Sequence, residues 1–166
     1  MPYKYVKGDL LEATTEYIVQ QNNCTGIKAA GLAEAISKKW PGINIYSERK
    51  KQKGNTCVKE DESEPGTIFL YEFEDVSPNE LKGVICAFAQ VTPGKPSSEH
   101  NDSAKERQKY FSECLEQILL LKPKSVGFPF KIGCGLAGGN WSIYEKMIQD
   151  WSKRNPEIDV IIYKNE

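Results

Sequence analysis

Residues 128–141 read FPFKIGCGLAGGNW, and they decide the fold because a short apolar strand breaks into a loop with four glycines and then meets a helix start. Glycine lacks a Cβ and adopts positive φ readily, so backbone N–H groups of such a loop can approach an anion closely. Asn140 is a good N-cap residue, while Ser142 and Glu145 offer a capping box two residues later. The first helical turn adds unpaired N–H groups. The segment therefore predicts a phosphate-binding loop.

The same loop contains G-x-G-x-x-G between Gly133 and Gly138, which is the dinucleotide-binding fingerprint, and Asp159 follows about 20 residues later. In that fold the motif follows the first strand, whereas here it lies near the end of the chain. Too little sequence follows to build a nicotinamide enzyme, so an oxidoreductase is the least favoured function. The loop also lacks the Gly-Lys-Ser/Thr ending of a Walker A motif.

Length and composition indicate one domain over residues 1–166, because 166 residues with 39% hydrophobic content suffice for one well-packed core. A net charge of −1 argues against a protein that binds a nucleic-acid backbone. No apolar run resembles a signal peptide or a membrane span, so we expect a cytoplasmic or nuclear monomer. Five cysteines without a C-x-x-C pair indicate neither disulfides nor a zinc site, and we expect no metal or cofactor.

Strand-like and helix-like segments alternate along the chain, which is typical of an α/β domain. In residues 103–122, apolar side chains repeat at helical spacing behind a capping box of Ser103 and Glu106. A stripe in 141–153 that includes Trp141 and Trp151 predicts core packing. The predicted strands are 3–7, 17–21, 67–73, 83–90, 125–128 and 158–163, and the predicted helices are 31–39, 43–52, 103–122 and 141–153.

Three further motifs accompany the glycine loop at predicted strand ends or helix starts. Val6, Gly8 and Asp9 form a turn at the end of the first strand, an Ile-Val-x-x-x-Asn pattern ends the second at Asn23, and a Gly-Leu-Ala sequence from Gly31 starts the first helix. With these four motifs in this order, the chain resembles the macrodomains, a family of ADP-ribose-binding modules. The resemblance covers essentially the whole chain and implies a three-layer α/β/α sandwich with a mixed central sheet and a cleft over the strand ends.

The resemblance also implies roles for individual residues. Asp9 would accept a hydrogen bond from the adenine amino group, with Leu10 nearby, and Asn23 would bind the distal ribose. Two loops would straddle the pyrophosphate, whose charge helix N-termini and backbone amides can neutralise without lysine. They comprise Ala30, Gly31, Leu32 and Ala33 in the first loop and Gly133, Cys134, Gly135, Leu136, Ala137, Gly138 and Gly139 in the second.

Within the family, IGCGL followed by a helix-starting tryptophan is most similar to the branch with ADP-ribose-1''-phosphate phosphatases and terminal ADP-ribose glycohydrolases. Those glycohydrolases carry an aspartate after IGCGL, where this chain has Ala137, and a lysine at the exit of the central strand, where it has Gln90. Another hydrolase branch carries an aspartate at the position of Ala33. The resemblance therefore favours a phosphatase over a glycohydrolase.

In such a phosphatase, a water attacks the terminal phosphate while Asn23 and the loop amides orient the reactants. His100 is the only histidine and lies with Asp102 in the polar run 92–103, which follows a predicted strand. Either residue is a candidate general acid or base, and the run is a candidate lid. A non-catalytic reader of ADP-ribose or of ADP-ribosylated protein remains an open alternative, as does a glycohydrolase. Cys134 is expected to pack as a small hydrophobe beneath the loop.

Overall fold

A mixed β-sheet forms the centre of the fold. The computed structural model describes residues 3–75 and 79–165, and every element lies within them. The strands are β1 (Tyr3–Lys7), β2 (Tyr17–Asn23), β3 (Lys51–Lys53), β4 (Thr56–Cys57), β5 (Ile68–Glu72), β6 (Gly83–Gln90), β7 (Ser125–Pro129) and β8 (Asp159–Lys164). The main sheet has the order β1-β8-β7-β2-β6-β5, in which only β5 is antiparallel to its neighbour. Strands β3 and β4 form a separate hairpin.

Helices cover both faces of the main sheet. The α-helices are α1 (Leu32–Lys39), α2 (Ala104–Ile118) and α3 (Trp141–Arg154), and short 3₁₀ turns include Leu10–Glu12 and Ile45–Glu48. Helices α2 and α3 pack in one hydrophobic cluster with the sheet, while α1 and the first 3₁₀ turn pack in the cluster on the other face. The predicted three-layer α/β/α sandwich is therefore confirmed. No helix within the described residues is long and apolar enough to cross a membrane.

The central strands are buried on both faces. In β2, Tyr17 and Val19 belong to the cluster with α2 and α3, whereas Ile18 between them belongs to the cluster with α1. Side chains alternate across a strand, so a strand covered on both sides is apolar at successive positions. Strand β6 follows the same rule, because all eight of its residues are buried. This burial explains why continuous apolar runs predicted these strands.

All six strands predicted from the sequence occur in the main sheet, with bounds that differ by at most two residues. The most useful difference is at β2, which continues to Asn23 rather than ending at Gln21. A bulge between Asn22 and Asn23 pairs Asn23 with Gln90 at the end of β6. Two amide side chains thus lie side by side where these parallel strands end.

The helix predicted over 43–52 is wrong. Asn44 accepts hydrogen bonds from the amides of Tyr46 and Ser47, which caps a single 3₁₀ turn. The chain leaves that turn at Arg49 in an extended conformation, with φ −98° and ψ 135°, and enters the β3–β4 hairpin. Gly54 supplies the positive φ of 57° at the hairpin turn. Local capping by Asn44 and the glycine turn therefore favour a 3₁₀ turn and a hairpin over the predicted helix.

The other helix predictions are confirmed. Ser103 and Glu106 form both hydrogen bonds of the predicted capping box at the start of α2. The helix ends at Ile118, and the last residues of the predicted span form a 3₁₀ turn at Leu119–Leu121. At α3 the cap is Asn140, whose side chain accepts from the amide of Ser142. Helix α3 buries its aromatic stripe in the core, as predicted.

Candidate functional site

A cleft of about 610 Å³ lies at the carboxyl ends of β2, β6 and β7. In open α/β sheets, ligands bind at this edge of the strands. The structure brings several of the residues predicted from the sequence into the lining of this cleft. They are Asn23, Ala30, Gly31, Leu32, Ala33, Gly133, Gly135, Leu136 and Ala137.

Six other predicted site residues are not among the described residues that line the cleft: Asp9, Leu10, His100, Cys134, Gly138 and Gly139. Asp9 follows β1 at the same edge of the sheet, is exposed, and accepts a hydrogen bond from the amide of Leu11 at 2.9 Å. Leu10 is 5% exposed and packs in the core with α1. Asp9 is thus available to a ligand that extends along the sheet edge, whereas Leu10 is a core residue.

The first of the two predicted loops enters α1 at Gly31. This residue is the N-cap, with φ 55° and ψ −126°, and a Cβ placed on it would meet no atom within 4 Å. Glycine is favoured there by the backbone conformation rather than by crowding. The amides that follow, at Leu32 and Ala33, belong to the first turn of α1 and have no partner within the helix. They supply hydrogen-bond donors and the positive end of the helix dipole beside the cleft.

The second loop is held in shape by its own backbone. The amide of Gly138 donates to the carbonyl of Gly135, and the amide of Gly139 donates to the carbonyl of Gly133. Gly133 has φ 75°, and a Cβ there would lie 2.8 Å from Oε1 of Gln21. A Cβ on Gly139 would lie 2.5 Å from the carbonyl oxygen of Gly133. The positive φ therefore favours glycine at position 133, and close approach to the backbone requires it at position 139.

Hydrogen bonds to Tyr46 and Gly26 hold Asn23 in place. The hydroxyl of Tyr46 accepts from the backbone amide of Asn23 at 3.0 Å and from its side-chain Nδ2 at 3.3 Å. The side-chain Oδ1 accepts from the amide of Gly26 at 2.7 Å. Both ends of the carboxamide are thus fixed, and the second hydrogen on Nδ2 is left for a ligand.

Arg49 holds the loop that follows Asn23. Its guanidinium is buried and donates to the carbonyls of Gly26 at 2.8 Å and Asn23 at 2.9 Å, and to the hydroxyl of Ser63 at 2.8 Å. It also lies 5.0 Å from the centre of the Tyr46 ring, within reach of a cation–π interaction. This role cannot be recognised from the sequence, because Arg49 lies in a run of charged residues for which the sequence predicts a helix.

A second buried guanidinium, that of Arg107, fastens the loop after β6 to the glycine loop. It donates to the carbonyls of Gly94 at 2.8 Å and Ala137 at 3.1 Å, which belong to the two loops. Its Nε and Nη2 form a bidentate pair with Asp102 at 2.9 and 2.7 Å. A visible signal was the place of Arg107 on the apolar stripe of α2, four residues before Phe111.

Because Asp102 is paired with Arg107, it is no longer a candidate general acid or base. Its carboxylate is 0% exposed and also accepts from the amides of Val91 and Thr92. Burial raises the pKa of Asp102, but the hydrogen bonds from Arg107, Thr92 and Val91 outweigh it and hold the pKa below its ordinary value. The side chain of His100 is 67% exposed and does not reach the cleft.

Cys134 has the properties of a packed thiol rather than a nucleophile. It is half-buried, and its Sγ donates to the carbonyl of Ile132 at 3.2 Å. Burial raises the pKa of the thiol to about 11. Because the thiolate is the reactive form, the cysteine is almost wholly protonated at neutral pH.

The charged side chains that line the cleft are Lys28, Lys95 and Lys131. Within the described part of the chain, the lining contains no aspartate, glutamate, histidine or cysteine. Lysines therefore lie in this cleft together with the helix N-terminus and the backbone amides of the loops. Nor do residues 3–75 and 79–165 contain any group of three acidic, histidine or cysteine side chains that could hold a metal ion. The cleft can therefore attract anions, and no carboxylate of the described residues lies in its lining.

The sheet order, the three layers and the cleft between two glycine-containing loops define this chain as having the macrodomain fold. The resemblance noted in the sequence is thus confirmed for the fold. No model of a known protein family matches the chain. The macrodomain of Mycobacterium tuberculosis DarG superposes on it with a TM-score of 0.75 at 23% identity, covering 97% of this chain and 96% of the other.

Two further similarities concern proteins whose ligand or substrate is named. DNA ADP-ribosyl glycohydrolases of M. tuberculosis and M. bovis are 24% identical to the chain over 164 residues, or 96% of its length. The chain spans 41% of the length of these relatives. Thermosipho africanus DarTG in complex with ADP-ribose has a TM-score of 0.69 at 21% identity, covering 98% of this chain and 41% of the other.

Proposed function

We propose that this chain binds the ADP-ribose unit in its cleft and hydrolyses an ADP-ribose derivative that carries a phosphate on the distal ribose. The observation that carries the proposal is the cleft lining, in which two glycine-containing loops, Asn23 and three lysines surround a space without carboxylates. A pyrophosphate suits this lining, because a helix N-terminus contributes about 1 kcal/mol and each hydrogen bond to a charged group roughly 1.5–3 kcal/mol. The ADP-ribose complex of the Thermosipho protein supports the choice of ligand.

The proposed pose runs along the carboxyl edge of the sheet. Asp9 at the end of β1 would accept from the adenine amino group, and the pyrophosphate would lie between the loop at Gly31 and the loop at Gly133. Asn23 would meet the distal ribose, and its fixed carboxamide favours a single orientation of that sugar. The exposed position of Asp9 at the same edge as the cleft supports this pose.

The lack of a carboxylate favours phosphate release over glycoside cleavage. Phosphoryl transfer depends mainly on positioning and on electrostatic stabilisation, which lysines, backbone amides and Asn23 can supply. The glycohydrolases of the branch that the sequence resembles carry an aspartate and a lysine where this chain has Ala137 and Gln90. Both ends of the Gln90 carboxamide are engaged, since Oε1 accepts from Gln21 at 2.8 Å and Nε2 donates to the carbonyl of Thr92 at 3.0 Å.

A second candidate function is the removal of ADP-ribose from DNA. The observation in its favour is the similarity to DNA ADP-ribosyl glycohydrolases over nearly the whole chain. This reaction would use the same cleft and the same ADP-ribose unit. The two candidates differ in the group that leaves the distal ribose, so product analysis separates them.

The first experiment is a calorimetric titration with ADP-ribose, with AMP as a comparison. We expect a dissociation constant of micromolar order for ADP-ribose, and Asp9→Ala should weaken it about 10-fold through loss of one charged hydrogen bond. Asp9→Asn is the matched control for folding, because its amide oxygen can still cap the Leu10–Glu12 turn. No heat with ADP-ribose would overturn the proposal, and an unchanged affinity of both variants would overturn the role of Asp9.

The second experiment separates the enzymatic functions. The chain is incubated with ADP-ribose 1''-phosphate and, separately, with ADP-ribosylated DNA, while inorganic phosphate and free ADP-ribose are measured. Phosphate release that is lost in Asn23→Ala supports the phosphatase. Release of ADP-ribose from ADP-ribosylated DNA, without phosphate release from ADP-ribose 1''-phosphate, supports the glycohydrolase. Binding without turnover of either substrate leaves a non-catalytic reader.

A further inference from the structure

Two of the three lysines in the cleft lie on loops that follow β2 and β6, the strands that end at Asn23 and Gln90. Asp9 follows β1 at one edge of the sheet, whereas Asn23 ends β2, which β8 and β7 separate from β1. Lys28 follows β2, and Lys95 follows β6, the strand that pairs with β2 on its far side. Lys131 follows β7 and is nearer the middle of the sheet edge. By strand order, the loops that carry Lys28 and Lys95 are therefore farther from the proposed adenine position than the loop that carries Lys131.

The loops that carry these two lysines are in contact. A Cβ placed on Gly26 would lie 3.0 Å from Cγ of Pro93, so the loop after β2 meets the loop after β6 at this point. Lys28 and Lys95 each follow this contact by two residues. Both residues line the cleft. The fold thus joins two loops that each contribute a lysine to the lining of the same cavity.

Buried guanidinium groups hold the backbone beside both lysines. Arg49 Nη1 donates to the carbonyl of Gly26 at 2.8 Å, two residues before Lys28. Arg107 Nη2 donates to the carbonyl of Lys95 itself at 3.2 Å. These contacts restrict the loops from which the ammonium groups extend, so less conformational entropy is lost when they meet a ligand.

The positive charge at this end of the cleft lacks a close counter-ion. In the described part of the chain, no aspartate or glutamate oxygen lies within 4.0 Å of the charged nitrogens of Lys28, Lys95 or Arg49. Arg49 is 8% exposed, and its Nε has no hydrogen-bond partner. Burying a charge without a counter-ion is costly, so an anion bound nearby would lower the free energy of this arrangement.

We infer that Lys28 and Lys95 form a third anion subsite, which takes a phosphate monoester on the distal ribose. The inference rests on the proposed function, since the proposed pose directs the distal ribose towards Asn23. The pyrophosphate is held by the two loops, and the further phosphate is held by the two ammonium groups. Lys28 and Lys95 would thus determine specificity for ADP-ribose 1''-phosphate over ADP-ribose.

The test compares the affinities of ADP-ribose and ADP-ribose 1''-phosphate. Each ligand displaces a fluorescent ADP-ribose analogue, and the signal is read within seconds of mixing, before hydrolysis proceeds. We expect the 1''-phosphate to bind the unaltered chain about 10-fold more tightly than ADP-ribose. The preference should fall as salt is added, because both lysines are exposed.

The double variant Lys28→Ala/Lys95→Ala should bind the two ligands within about twofold of each other, because it loses more affinity for the 1''-phosphate than for ADP-ribose. Lys146→Ala is the matched control, since this lysine of α3 pairs with Asp150 and lies outside the cleft lining; it should keep the preference. Equal affinities in the unaltered chain, or a preference that survives in the double variant, would overturn the subsite while ADP-ribose binding still stood. Failure to bind ADP-ribose at all would overturn the proposed function as well.

Discussion

Arg49 and Arg107 are both buried, and both donate hydrogen bonds to carbonyl groups of loops around the cleft. They differ in whether a carboxylate neutralises their charge. Arg107 forms a bidentate ion pair with Asp102, and the carboxylate is itself saturated by backbone amides. Arg49 has no carboxylate within 4.0 Å among the described residues and instead lies against the rings of Tyr46 and Phe88. One guanidinium is neutralised, and the other leaves a positive charge beneath Asn23.

The two buried arginines therefore contribute differently to the cleft. The Arg107–Asp102 pair is neutral and fully hydrogen-bonded, so it fixes the junction of two loops without adding charge to the cavity. An unneutralised guanidinium beneath the Asn23 end adds a positive field where a phosphate is proposed to bind. Substitutions of the two arginines should therefore differ in their effects on stability and on ADP-ribose binding.

The largest effect is expected for Arg107→Met. This change leaves the Asp102 carboxylate buried without its partner, which typically costs 3–5 kcal/mol of unfolding free energy. Urea denaturation measures the loss. Asp102→Asn combined with Arg107→Met removes the orphan charge, so the double variant should be more stable than Arg107→Met alone. Equal stabilities of the single and double variants would show that the ion pair is not the origin of the effect.

A smaller loss, about 1–3 kcal/mol, is expected for Arg49→Met. The variant loses hydrogen bonds to Gly26, Asn23 and Ser63, but it leaves no buried carboxylate without a partner. Urea denaturation again measures stability, and calorimetry should show weaker ADP-ribose binding because the Asn23 loop is released. A loss as large as that of Arg107→Met would contradict the distinction between the two sites.

The pH dependence of stability should also differ between the Arg107–Asp102 pair and Arg49. The folded-state pKa of Asp102 is lowered, so this group stabilises the fold above its unfolded pKa of about 3.9, and that stability is lost as the pH falls through the folded value. The stability difference between the unaltered chain and Asp102→Asn should therefore shrink below about pH 4. The stability of Arg49→Met should instead change with pH in parallel with that of the unaltered chain. Denaturation curves at several pH values measure the stability of all three proteins.

The sequence predicted the main sheet well because its strand signals are local. The central strands β2, β6 and β7 are buried at successive positions, so they could be read from their continuous apolar runs. The glycine loop likewise revealed its conformation through residue type, since positive φ at Gly133 and Gly138 favours glycine. These features need no knowledge of distant contacts.

The two arginines could not be assigned in the same way, because their partners are distant in sequence. Arg107 reaches Ala137 in another loop, and Arg49 reaches Gly26 from a turn that was mistaken for a helix. The same reason explains Asp102, which resembles a free loop carboxylate until Arg107 is placed beside it. Charged residues in charged runs look solvated unless they interrupt an apolar stripe, as Arg107 does on α2.

The smallest effect, about 1 kcal/mol, is expected for Tyr46→Phe. The ring that lies against Arg49 is kept, while the hydroxyl that accepts from the amide and side chain of Asn23 is lost. ADP-ribose should bind more weakly in calorimetry although Arg49 keeps its contacts. Tyr71→Phe is the matched control, because the Tyr71 hydroxyl donates to Glu48 at an exposed site. Full stability and affinity in Tyr46→Phe would mean that Arg49 alone positions Asn23; a weaker affinity would show that this end of the cleft needs both residues.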